Sequence, residues 1–151
     1  MTADLLLHLI SRFIHIASAI LFLGAVAYAR QVLVPVLNSV PEANRPAAAS
    51  AAQAKFRGTL FVLLVLIVCS GLYNFFSYTG PKHTTTYQAW FGVKMLLVAH
   101  VLATAILWAT SPFGDVHVGS KAKHRLVSVT ISGLIIVLIS SYLRSLTQRG
   151  L

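Results

Sequence analysis

The chain has 151 residues, of which 57% are hydrophobic and only 10% charged, and its mean hydropathy is +0.79. A soluble domain of this size carries about 25% charged residues, so most of this chain's surface is built to face lipid rather than water. The net charge of +9 would suggest nucleic acid in a soluble protein, but here the cations lie between apolar runs, where they set topology and meet anionic headgroups.

A bilayer core about 30 Å thick needs about 20 mostly apolar helical residues, and four segments meet that requirement. The first, residues 5–36, carries His8, Arg12 and His15 near its start. It runs on without a small-residue cleavage site after a short apolar core, so it reads as a retained helix and not as a signal peptide. Residues 38–54, with Pro41, Pro46 and an Ala-rich run, read as a turn leading into a helical extension of the second span, 58–78. Residues 79–88 hold Gly80, Pro81 and a Thr triplet and read as a loop. The third span, 89–110, contains Lys94 and His100. A second loop, 111–125, holds Pro112, Gly114 and Gly119 and then the basic run Lys121, Lys123, His124 and Arg125; the fourth span is 126–143. Tyr28, Tyr78, Tyr87, Trp90, Trp108 and Tyr142 stand near span ends, as interfacial anchors do. Gly24, Gly71, Gly92 and Gly133 are expected to allow close helix approach. The fold class is therefore all-α: an integral membrane four-helix bundle, one domain over residues 1–151.

Orientation follows from the charges outside the spans. Arg30, Arg45, Lys55, Arg57, Lys121, Lys123 and Arg125 flank the first and third connections, against Arg12, Lys82, Arg144 and Arg149 on the other side. The positive-inside rule puts those two connections in the cytoplasm and both termini outside. The single Cys69 excludes an intrachain disulfide.

Ionisable side chains inside spans are expensive and mark candidate functional sites. His8, Ser11, His15 and Ser18 recur at helical spacing and form one stripe; Ser70, Asn74 and Ser77 form another on the second span. Trp90 and Lys94 share a face, whereas His100 lies about 9 Å deeper and about 120° around that helix. With the orientation above, polar groups of all four spans fall in the outer half. Two imidazoles from two helices can take the axial positions of haem b, and cations nearby suit its propionates. The candidate cofactor-binding residues are His15, His100, Lys94, Arg12, Trp90 and Asn74, with His15 and His100 as metal ligands. A copper path is the competing metal reading, but Met1, Met95 and Cys69 are the only soft donors. A third reading is an accessory membrane subunit whose polar stripes pack against a partner. With only Asp4, Glu42 and Asp115 as acids, a paired-carboxylate site is excluded.

The stretches His15-Ile-Ala-Ser18, Phe22-Leu-Gly24 and Tyr28-Ala-Arg30 resemble the first-helix pattern of the HemJ-type protoporphyrinogen oxidases. Tyr87-Gln-Ala-Trp90-Phe-Gly-Val-Lys94-Met-Leu-Leu-Val98 is similar to the Trp-x-x-x-Lys of that group and to a helix opening of the CopD-type copper-resistance membrane domains. Ser70-Gly71 resembles the close of a CopD-like span. The runs Gln31-Val-Leu-Val-Pro35 and Lys123-His-Arg-Leu126 depart from the pattern. The resemblance implies a haem-b-binding redox bundle of the inner (cytoplasmic) membrane, with oxidoreductase activity as one outcome. His15 would be the leading axial ligand, Lys94 its neighbour and Arg30 a further matched residue. Membrane lipid is the expected surrounding, and nucleic acid is not expected. A quinone, a porphyrin or a protein is the electron partner in keeping with it, and a homo-oligomer is compatible.

Overall fold

The structure is a computed structural model that describes residues 3–77, 84–110 and 120–148, the side chains of 108–110 and 120–123 excepted. Tyr78, Gly80, Pro81, Lys82 and His83, residues 111–119 with Pro112, Gly114, His117 and Gly119, residues 149–151 with Arg149, and the side chains of Trp108, Lys121 and Lys123 lie outside the described residues. All described regular structure is helical: α1 (Ala3–Tyr28), a π-helical turn (Ala29–Leu33), α2 (Val34–Ser39), α3 (Arg45–Phe76), α4 (Thr85–Thr110) and α5 (Ser120–Gln148). Four segments are long and apolar enough to cross a membrane: Ala3–Ser39, Arg45–Phe76, Thr85–Leu107 and His124–Gln148. The all-α, multi-span class expected from composition is the one observed. Large apolar side chains stand outward on these helices, with Phe13 72% and Leu96 75% exposed, as a lipid solvent permits.

The chain forms two compact units, Met1–Gly80 and Pro81–Leu151. In the first, α1 pairs with α3. The helices overrun the expected spans at the connecting turn, and Pro35 explains the form of the overrun. A proline has no N–H to give to Gln31 four residues back, and its ring crowds that carbonyl. The helix widens just ahead of it, with the Val34 N–H reaching the Ala29 carbonyl five residues back, and then continues to Ser39. It stops where Val40 takes φ −71° and ψ 137°, the extended conformation imposed on a residue that precedes a proline. The Arg45 guanidinium closes the turn: Nη2 donates to the Asn38 carbonyl at 3.2 Å and to Val40 at 3.1 Å. These are carbonyls that the end of α2 leaves unpaired. Leu37 and Ala49 are buried beside this turn.

In the second unit, α4 pairs with α5. Thr84 caps α4, its Oγ1 accepting from the Tyr87 N–H at 3.4 Å. Ile139, Leu143 and Leu146 form a buried cluster on α5 against which Tyr87, Phe91 and Leu97 pack. Helix α4 begins at Thr85, earlier than the span expected from residue 89, because the Thr triplet serves as cap and first turn. Helix α3 likewise starts ahead of its apolar run, at Arg45, with Pro46 in its first turn.

Candidate functional site

The polar stripes foreseen on the first two spans meet each other in the α1–α3 pair. Ser11 Oγ donates to the Ser70 carbonyl at 3.4 Å. His15 Nδ1 lies 3.0 Å from the Ile67 carbonyl and 3.1 Å from Ser70 Oγ, and Ser18 is buried one turn further on. The Ser70 hydroxyl is itself a donor to the Leu66 carbonyl of its own helix. A carbonyl oxygen accepts only, so the bond to Ile67 requires the proton on His15 Nδ1. The neutral ring then carries its lone pair on Nε2.

Gly71 is what lets the imidazole lie so near α3. A Cβ at that position would stand 3.0 Å from His15 Cε1, 3.4 Å from Nδ1 and 4.0 Å from Nε2. Added Cβ atoms at Gly24, Gly58 or Gly92 would meet nothing within 4 Å. The close-approach role expected of several glycines is thus shown for Gly71, and not for Gly24 or Gly92.

The two sides of this pair differ. Along one side runs an apolar groove of about 270 Å³, whose lining includes Leu7, Ile14, Leu66, Cys69 and Tyr73. His8, Arg12 and His15 lie roughly 40–100° around α1 from Ser11, on the opposite side. There His15 adjoins Ile67 and Gly71 of α3, and Asn74 lies on the same side of that helix by its spacing from Gly71 and Ile67. Arg12 is exposed and His8 half-buried. Asn74 Oδ1 is buried with no hydrogen-bond partner among the described residues, an unusual state for a buried polar atom. One edge of the first pair is therefore apolar and the other carries imidazoles, a guanidinium and an unsatisfied amide.

In the α4–α5 pair the candidate residues separate. Lys94 is half-buried. It lies seven residues from Tyr87 and seven from the buried Val101, hence on the face of α4 that packs against α5. His100 is exposed, with Nε2 2.9 Å from Ser128 Oγ of α5. The divergence of Lys94 and His100 expected from their spacing is what the helix delivers. Trp90 packs edge-on to Tyr142, ring centroids 5.7 Å apart at 72°. Ser128 had not been singled out in the sequence. An antiparallel register through Trp90 and Tyr142 brings it to within one turn of the level of His100.

Among the described residues, no three His, Cys, Asp or Glu side chains come together as a metal-holding group. An axial haem site needs only one imidazole per face, and its donor chemistry fits His15, whose Nδ1–H is tied to a carbonyl while Nε2 keeps the lone pair. No known protein family, curated protein or solved structure matches this chain.

Proposed function

We propose that this chain is a multi-pass protein of the cytoplasmic membrane that holds haem b on the polar edge of its first helix pair and takes part in electron transfer. The observation that carries the reading is the anchoring of His15 Nδ1 on the Ile67 carbonyl and Ser70 Oγ. A ligating histidine typically has its second nitrogen fixed in this way, which sets the tautomer and raises the basicity of the other. Haem would supply one-electron chemistry, at a potential tuned by its axial ligand and surroundings. His15 would be the axial ligand, and Gly71 would leave room for its ring. Arg12, one turn nearer the N-terminus on the same edge, would pair with a propionate. The Asn74 amide, otherwise unsatisfied, would gain a hydrogen-bond partner. Lys94, Trp90 and His100 belong to the second pair.

The test is an absorption spectrum of the detergent-purified protein, oxidised and dithionite-reduced, with a pyridine haemochrome assay. A b-type Soret and α band is expected, abolished by His15→Ala and retained with altered shape in Ser70→Ala. Absence of haem after expression with ample haem supply would sink the proposal. Copper transport gains nothing from the donor set described, and an accessory subunit would leave any pigment unchanged in His15→Ala.

A further inference from the structure

The first helix pair is too long for the membrane it crosses, and the excess lies at its connecting turn. Ala3–Ser39 and Arg45–Phe76 run 37 and 32 residues, about 55 and 48 Å at 1.5 Å per residue, against an apolar core of about 30 Å. The apolar run of α3 begins directly after Arg57. Residues 45–57, about 20 Å of helix, therefore stand beyond the core, together with α2 and the turn. Four cations sit there, Arg30, Arg45, Lys55 and Arg57, with Glu42 the one acid.

These cations are not equivalent. Arg45 is occupied by the Asn38 and Val40 carbonyls. Arg30, Lys55 and Arg57 make no hydrogen bond or ion pair with any described residue. The pairing of Ser11 with Ser70 and of His15 with Ile67 sets the register and brings Arg30 level with about residue 52. All three then fall within about 8 Å along the axis, the depth of one headgroup layer. Their directions differ. Arg30 follows Arg12 by eighteen residues, five full turns, and so lies on the same edge of α1. Arg57 precedes Gly71 by fourteen, close to four turns, and lies on that same edge of the pair. Lys55 precedes Tyr73 by eighteen and lies on the groove edge.

We propose that Arg30 and Arg57 hold the phosphate of an anionic phospholipid as a bound lipid on one edge of the first helix pair. Two guanidiniums without a partner among the described residues, at headgroup depth, suit a phosphodiester in donor geometry, and their two positive charges favour a lipid that carries no cation of its own. The half-burial of Arg30 screens it from bulk salt and favours one retained lipid over a diffuse counterion cloud. The proposal is independent of haem.

The experiment uses the full chain in nanodiscs of phosphatidylcholine alone and with added phosphatidylglycerol, read by thermal unfolding. Phosphatidylglycerol is expected to raise the unfolding temperature. Arg30→Gln and Arg57→Gln should each lose most of that rise, and Lys55→Gln should keep it. Equal loss in Lys55→Gln would mean a diffuse field and overturn the site, as would no rise in the parent protein. Inorganic phosphate reproducing the rise in phosphatidylcholine would overturn the lipid assignment. If an Arg variant does not fold, native mass spectrometry of the parent protein decides. Phosphatidylglycerol retained over phosphatidylcholine is expected, and equal retention would refute the site.

Discussion

Replacing Gly71 by Ala tests the central contact of the first helix pair without reference to any ligand. The new methyl would stand 3.0 Å from His15 Cε1 and 3.4 Å from Nδ1, the first a tight contact that the ring must relieve by a few tenths of an ångström. The ring cannot swing away freely, because its Nδ1 is held by Ile67 and Ser70. Overpacking of this kind costs about 1–3 kcal/mol, and the gain in helix propensity from Gly to Ala returns about 0.5–1. The net expectation is a loss of about 1 kcal/mol. Gly24→Ala and Gly92→Ala, whose methyls meet nothing within 4 Å, keep the propensity gain alone and should be neutral or stabilising. Unfolding in mixed micelles across a series of SDS fractions reads all three, and the difference in sign is the signal. A double-mutant cycle with His15→Ala adds a second check. Without the ring, Gly71→Ala should become as benign as the controls, a coupling of about 1–2 kcal/mol. If Gly71→Ala is as stabilising as Gly24→Ala in the parent protein, the packing of His15 on α3 is refuted.

Asn74→Leu removes a buried acceptor that has no partner among the described residues. The ligand-free protein should be unchanged or more stable by about 1 kcal/mol, with haem retention reduced in the same variant. A clear loss of stability without ligand would show that the amide is satisfied within the protein. Arg45→Gln gives up the guanidinium bonds to Asn38 and Val40 and should cost about 1 kcal/mol, with faster proteolysis between residues 38 and 45. Unchanged cleavage there would mean that the turn is held by its prolines alone.

Much of the fold was legible in the sequence because lipid imposes a harsh requirement. Backbone groups without water must bond within the helix, so apolar runs of sufficient length could only be spanning helices. The polar stripes were legible too, since His8, Ser11, His15 and Ser18 can share a face only at helical spacing. Their partners were not. In a chain apolar on nearly every side, hydropathy does not say which face of a helix meets its neighbour. The pairing of His15 with Ile67 and Ser70 and the special place of Gly71 among the glycines therefore depended on tertiary register. So did the split of the first pair into an apolar and a polar edge. The same register turned Lys94 inward against α5 and left His100 to Ser128. Composition alone made this a membrane protein; how each helix is rotated against its partner decided which of its polar residues could work together.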